Sequence, residues 1–123
     1  MDKCDYQRLL KILFHCEDIA NCITRFGKDY NTFVNDRVYF NAIAMSVLQI
    51  GELANGLSDE FKNATSNEIP WRMIRGMRNV LAHAYGEIDE DALWATIIND
   101  IPIIRNFCNS YLSVIKSESN EKN

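Results

Sequence analysis

The chain is short of the residues that build turns and cross-links. Its 123 residues include two prolines and five glycines, which leave little material for the many turns of a β-rich protein. The four cysteines form no CxxC pair, and the two histidines, His15 and His83, lie far apart in the sequence. We therefore expect reduced cysteines, mostly in the core, and no disulfide framework, structural metal site or cofactor.

Long apolar runs are missing as well. No segment approaches the roughly 20 apolar residues of a membrane span, and the N-terminal segment places acidic residues within and after its apolar ones. The sequence thus predicts a cytoplasmic protein without a signal peptide or a membrane partner. A net charge of −4 argues against broad nucleic-acid binding, so any contact with RNA has to be local.

What the chain does contain is apolar residues repeated at steps of three and four. They predict four long helices, at about 5–26, 36–55, 69–85 and from the acidic cluster 87–91 to 116, with Pro102 kinking or splitting the last. Gly27 and Gly56 end the first two, and Ser58 caps a short helical turn. The prediction is an all-α, up-and-down bundle forming one domain over 1–116, with a polar frayed tail at 117–123.

The helix at 36–55 is apolar over much of its circumference. It should therefore be the central helix or lie at a subunit interface. Its main apolar stripe is Val38, Ala42, Met45, Leu48, Gln49 and Leu53, broadened by Ile43, Val47, Ile50 and Ala54. Gly51 in mid-helix suggests that another backbone packs there. Two interpretations of Glu52 stay open: an exposed or cap-pairing carboxylate, or a partner that orients nearby arginines.

The helix at 69–85, IPWRMIRGMRNVLAHAY, has two distinct faces. Pro70 suits its first turn and Gly86 its end. On a helical wheel, one side is apolar: Met73, Ile74, Met77, Val80, Leu81 and Ala84. The other side carries Arg72, Arg75, Arg78, Asn79, Ala82 and His83, with Gly76 at its margin.

Two interpretations apply to this polar side. A solvated surface is the better account of Arg72 and Arg75, although both could contact RNA phosphates. For Arg78, Asn79 and His83 a functional site is favoured, because the small residues would let another backbone approach and because Lys and Glu, common on exposed helix faces, are missing.

An Arg–His pair suits cleavage of an RNA phosphodiester better than other chemistry. One imidazole without neighbouring carboxylates or thiolates makes a poor metal site, and no Ser or Cys has a recognisable place beside His83. Histidine can move the protons of the ribose 2′-OH and the leaving 5′-oxygen, and arginine can neutralise the phosphate. One subunit supplies only one imidazole there, so a two-fold dimer pairing this helix with its symmetry mate is expected.

The segment Arg78–Asn79–Val80–Leu81–Ala82–His83–Ala84–Tyr85 resembles the Arg-x4-His-x-Tyr signature of HepT-like toxins in the HEPN superfamily. IPWRMIRGMRN before the signature and IGELANGLS on the preceding long helix agree with it. The resemblance implies a homodimeric, metal-independent ribonuclease toxin of a toxin–antitoxin system. Arg78 and His83 would be catalytic and Asn79 supporting, whereas a role for Glu52 is less secure. The implied antitoxin is a minimal nucleotidyltransferase that transfers AMP to Tyr85.

Two other functions stay open. The chain could be a non-catalytic helical module that binds a nucleotidyltransferase and presents a groove or a modifiable tyrosine. It could also be a purely structural helical dimer. The structural-dimer interpretation would be supported if Arg78 and His83 pointed away from each other into solvent.

Overall fold

All regular secondary structure in the residues described below is helical, as predicted. The computed structural model describes the backbone of residues 1–82 and 89–121 and the side chains of residues 1–77 and 89–115. The helices are α1 (Lys3–Phe26), α2 (Tyr30–Asn35), α3 (Arg37–Asn55), α4 (Asp59–Ala64), α5 (Trp71–Ala82), α6 (Glu90–Ala95) and α7 (Ile101–Glu121). A π-helical segment, Thr96–Asp100, joins α6 to α7. The four predicted long helices are α1, α3, α5 and the combined α6–π–α7.

Short polar side chains start these helices where the sequence indicates. Asp36 accepts hydrogen bonds from the backbone N–H groups of Val38 and Tyr39, which α3 itself cannot satisfy. Ser58 caps α4 in the same way, confirming the predicted cap. Gly27 ends α1 with φ at 109°, a conformation that favours glycine.

One helix is absent from the sequence prediction. The polar segment after α1, expected to be a break, contains α2, which begins after its cap Asp29 and buries Phe33. Six residues are fewer than two helical turns, so α2 offers too little periodicity to be recognised.

α3 is the central helix, as predicted. It packs against α1, α5 and α2, while α7 packs against α1. Rings from α4, α5 and α7 close the bundle: Phe61 lies 5.8 Å from Trp71 and 5.3 Å from Tyr111, and Trp71 lies 5.6 Å from Phe107, between ring centroids.

The buried face of α3 differs from the predicted stripe. Val38 and Met45, placed on the main stripe, are 67% and 57% exposed. The core takes the residues that were expected only to broaden that stripe, Ile43, Val47, Ile50 and Ala54, together with Tyr39. Because α3 is apolar on both sides, periodicity cannot tell which side faces the core of its own chain. Gly51 is buried.

The predicted split near Pro102 takes the form of the π segment. Buried residues along α6, the π segment and α7 recur at Leu93, Ile97, Ile101, Ile104, Cys108 and Leu112, mostly four residues apart. That spacing exceeds the 3.6 residues of an α-helical turn. The π-helical turn, whose hydrogen bonds join residues i and i+5, contains more residues per turn and so accommodates the longer spacing. It lies just before Pro102, which lacks a backbone N–H donor.

The cysteines are free. Cys16 and Cys108 are buried, Cys22 is half-buried and Cys4 is exposed. None of the helices in the described ranges combines the length and the apolar character that crossing a membrane requires.

Candidate functional site

The signature helix, α5, buries one face and exposes the other. Trp71, Ile74 and Met77 lie in the core against α3, and Arg72 and Arg75 are exposed. The predicted separation of an apolar and an arginine-bearing face is therefore confirmed for residues 71–77 apart from Met73.

One residue of that helix was assigned to the wrong side. Met73, predicted on the apolar side, is 43% exposed. The buried strip is centred on Ile74, between Trp71 and Met77. Met73 lies about 100° from Ile74 on the wheel, so the strip that packs in the core is rotated away from Met73 relative to the predicted apolar side.

Local hydrogen bonds fix the start of α5. The helix begins at Trp71 rather than Ile69, and the Pro70 carbonyl accepts from the N–H groups of Met73 and Ile74 at 3.0 and 3.2 Å. The Trp71 indole N–H donates to Thr65 Oγ1 at 2.8 Å, and that hydroxyl donates to the Phe61 carbonyl at 2.8 Å. α4 and the first turn of α5 are thereby joined by satisfied, buried polar contacts.

A polar groove runs between these two helices. This α4–α5 groove has a volume of about 330 Å³ and is lined by Ala54, Asp59, Lys62, Asn63, Trp71, Arg72 and Arg75. It gathers three cationic side chains and one carboxylate on a chain whose net charge is −4. Lys62 Nζ lies 3.8 Å from Asp59 Oδ1, whereas within the described ranges neither arginine forms an ion pair.

The structure thus adds Lys62 and Asn63 to the arginines Arg72 and Arg75 that the sequence singled out. Both additions lie on α4, a short helix that the sequence treats as a connection. The Trp71–Thr65 hydrogen bond and the contact between the Phe61 and Trp71 rings hold α4 against the start of α5. No local motif marks Lys62 or Asn63.

Most of the predicted site lies outside the described side chains. Arg78 and Asn79 belong to the helical backbone of α5, but their side chains are outside the described residues. His83 and Tyr85 fall in 83–88, between the end of α5 at Ala82 and the cap of α6 at Asp89. Their predicted catalytic, supporting and modification roles stay predictions.

Glu52 is exposed in the last two turns of α3, two residues before Ala54, which lines the α4–α5 groove. Its role stays a prediction. Among the described residues, no three His, Cys, Asp or Glu side chains are grouped as a metal site.

Close to residue 89, one contact ties α6 to α2. The Tyr30 hydroxyl donates a short hydrogen bond to Asp91 Oδ1. The carboxylate holds that proton and thereby raises the pKa of Tyr30 to about 12. Together with the Asp89 cap, this contact holds the start of α6 beside α2.

Sequence comparisons agree on one family. A family model described as ribonuclease HepT-like matches residues 12–111. A protein named "Putative RNase" from Methanocaldococcus jannaschii is 33% identical over 95 residues, covering 76% of this chain and 86% of its own. Another from Caldanaerobacter subterraneus subsp. tengcongensis is 35% identical over 91 residues, covering 74% and 79%. A "Probable ribonuclease HepT" from Thermococcus cleftensis is 33% identical over 96 residues, covering 74% and 86%. No solved structure matches the chain significantly.

Proposed function

Because this chain belongs to the HepT-like ribonuclease family, we propose that it is the ribonuclease toxin of a two-component toxin–antitoxin system. The observation that carries the proposal is the construction of α5. This helix buries Trp71, Ile74 and Met77 and leaves two arginines in solvent, on an acidic chain, directly before the Arg78–His83 motif. These exposed guanidinium groups beside the motif would attract the phosphates of an RNA strand.

The proposed reaction is attack of a ribose 2′-oxygen on the adjacent phosphorus. One imidazole removes the 2′-OH proton, a 2′,3′-cyclic phosphate forms, and the bond to the 5′-oxygen breaks as that oxygen receives a proton. Arg78 stabilises the charge that grows on the phosphate oxygens, and Asn79 holds Arg78 and His83 in register. The residues in this scheme need no metal.

A two-fold homodimer would supply the second imidazole. If α5 meets its symmetry mate, His83 of each subunit lies in one cleft, so one can act as base and the other as acid. Gly76 is compatible with such an approach: a Cβ added there meets no described atom within 4 Å.

Control by the antitoxin would act on the same cleft. A nucleotidyltransferase partner would transfer AMP from ATP to the Tyr85 phenolic oxygen, with loss of the phenol proton and release of pyrophosphate. The attached AMP would place bulk and negative charge beside Arg78, where it would compete with RNA phosphate. The mass of one AMP on Tyr85 after incubation with the partner and ATP tests this step.

The decisive experiment compares RNA and DNA of one sequence in the presence of EDTA. We expect cleavage of RNA alone, because DNA lacks the attacking 2′-OH. His83→Gln should lower the rate at least 100-fold, the usual contribution of general acid–base catalysis. Equal cutting of DNA, or loss of cutting in EDTA, would contradict the mechanism.

The chain provides its own matched control. His15, its second histidine, is half-buried on α1. We expect His15→Gln to retain cleavage, and melting curves should show that both variants are folded. A wild-type chain that binds a nucleotidyltransferase tightly but cuts no RNA would favour the binding-module alternative.

A further inference from the structure

The α4–α5 groove has the composition of a nucleic-acid backbone site. Lys62 and Asn63 from α4 face Arg72 and Arg75 from α5, so two elements contribute hydrogen-bond donors to one cavity. We propose that this groove binds a second phosphate of the RNA strand, away from the scissile one, with Lys62 and Arg72 as its cationic contacts. This inference rests on the proposed ribonuclease function and extends it to substrate binding.

The position along α5 makes this a separate subsite. Arg72 precedes Arg78 by six residues, which is about 9 Å along the helix axis. An RNA phosphate held at Arg72 is therefore a different phosphate of the strand from one held at Arg78. A volume of about 330 Å³ is within the usual size of small-ligand sites, which leaves room for a phosphate and its sugar.

The charges in the groove favour an anion despite the carboxylate. The ion pair between Lys62 and Asp59 spans 3.8 Å, and the Asp59 side chain is 96% exposed. The Lys62 side chain is only 20% exposed, but an ion pair of that length with a carboxylate in solvent contributes little to stability. A phosphate can therefore replace Asp59 as the partner of Lys62, while Asp59 turns to water.

The groove walls are also held in place before any ligand binds. Trp71 forms part of the lining, yet its ring packs between Phe61 and Phe107 and its indole N–H is bonded to Thr65. The backbones that carry Lys62 and Arg72 need little further ordering on binding, which lowers the entropic cost of that step.

The test measures binding of single-stranded 2′-O-methyl RNA, which cannot be attacked at the blocked 2′-oxygen, across a salt series. Each phosphate contact contributes about −0.7 to the slope of log K against log salt for a single strand. Lys62→Gln and Arg72→Gln should each weaken binding and flatten the slope by about 0.7. Between 50 and 200 mM salt, each variant should thus lose about 2.5-fold less affinity than the wild type. Asp59→Asn should tighten binding, because it removes the competitor of the phosphate.

Matched variants separate contact from net charge. Glu60→Gln makes the same charge change as Asp59→Asn one residue further along α4, but Glu60 lines a different cavity, with Asp5 and Ser58. Lys28→Gln makes the same charge change as Lys62→Gln, but far from the groove. Lys28 follows the C-terminal end of α1, whereas Asp5, which accepts a hydrogen bond from Ser58 N–H beside α4, lies near the N-terminal end. The two ends of α1 are on the order of 30 Å apart along the helix axis. Both controls should keep the wild-type slope.

The subsite would be overturned if Lys62→Gln and Arg72→Gln kept the wild-type slope. It would also be overturned if Asp59→Asn and Glu60→Gln had equal effects on binding. Failure of the proposed ribonuclease function would be seen in a different measurement. The wild-type chain would then not cleave unmodified RNA, whatever the salt slopes of binding. Cleavage of RNA together with unchanged slopes would reject the groove and retain the ribonuclease.

Discussion

At the scale of single residues, the buried thiols distinguish structural cysteines from reactive ones. Desolvation in the core raises the pKa of Cys16, and it raises the pKa of Cys108 to about 12. Because the thiolate is the reactive form, burial protects both thiols twice, by covering the sulfur and by keeping it protonated. They serve packing, as expected from the sequence.

Alkylation should therefore be selective. In the folded protein at pH 8, we expect iodoacetamide to label Cys4 first and to leave Cys16 and Cys108 unlabelled until urea unfolds the chain. Peptide mass spectrometry measures this order. Labelling of Cys16 as fast as Cys4 would contradict it.

The same shifts give the fold a pH dependence. An unfolded thiol ionises near pH 8.5, whereas the folded Cys16 and Cys108 keep their protons to much higher pH. Their contribution to stability is complete below about pH 8.5 and is lost as the pH rises towards the folded pKa values, since unfolding then releases protons. Replacing Cys108 with Ala should lower the melting temperature at pH 7, because it leaves a cavity, and should flatten the decline above pH 8.5.

At the scale of elements, the junction of α4 and α5 depends on one hydroxyl. Thr65 is buried, accepts from the Trp71 indole and donates to the Phe61 carbonyl. Thr65→Val keeps the shape but leaves a buried N–H group without a partner, which costs about 1–3 kcal/mol. Thr24→Val is the matched control, since the exposed Thr24 hydroxyl bonds only to the Ala20 carbonyl of its own helix. We expect urea unfolding to show the loss for Thr65→Val only.

The elements also show what the sequence can and cannot predict. Caps such as Asp36 and Ser58 act on neighbouring N–H groups, so the starts of the four long helices and of α4 are local information and agree with the prediction to within about two residues. The buried side of α3 is decided by which helices pack on it, and its two apolar sides look alike in the sequence. Lys62 joins the groove only through tertiary contacts, which no short-range pattern contains.

At the scale of the whole molecule, the apolar and small residues left on the surface are consistent with a dimer. Val38 and Met45 on α3 and Met73 on α5 are exposed although neighbouring positions of the same helices are buried. Gly76 is half-buried on the open side of α5. A helix interior normally disfavours glycine by about 1 kcal/mol relative to alanine, so its presence fits a close approach of another backbone.

Gly76 variants can therefore separate the fold of one subunit from its assembly. Since an added Cβ meets no described atom within 4 Å, Gly76→Ala and Gly76→Gln should preserve the fold of the subunit or raise its stability by up to about 1 kcal/mol. If α5 packs on its mate, however, the glutamine should force the helices apart and the alanine should do so less. Light scattering should then show the wild type at twice 14.2 kDa and Gly76→Gln at 14.2 kDa. Cleavage of RNA should fall with the dimer, because each separated subunit keeps only one His83 in reach of the phosphate. A wild type of 14.2 kDa, or a Gly76→Gln dimer with full activity, would contradict a cleft shared across α5.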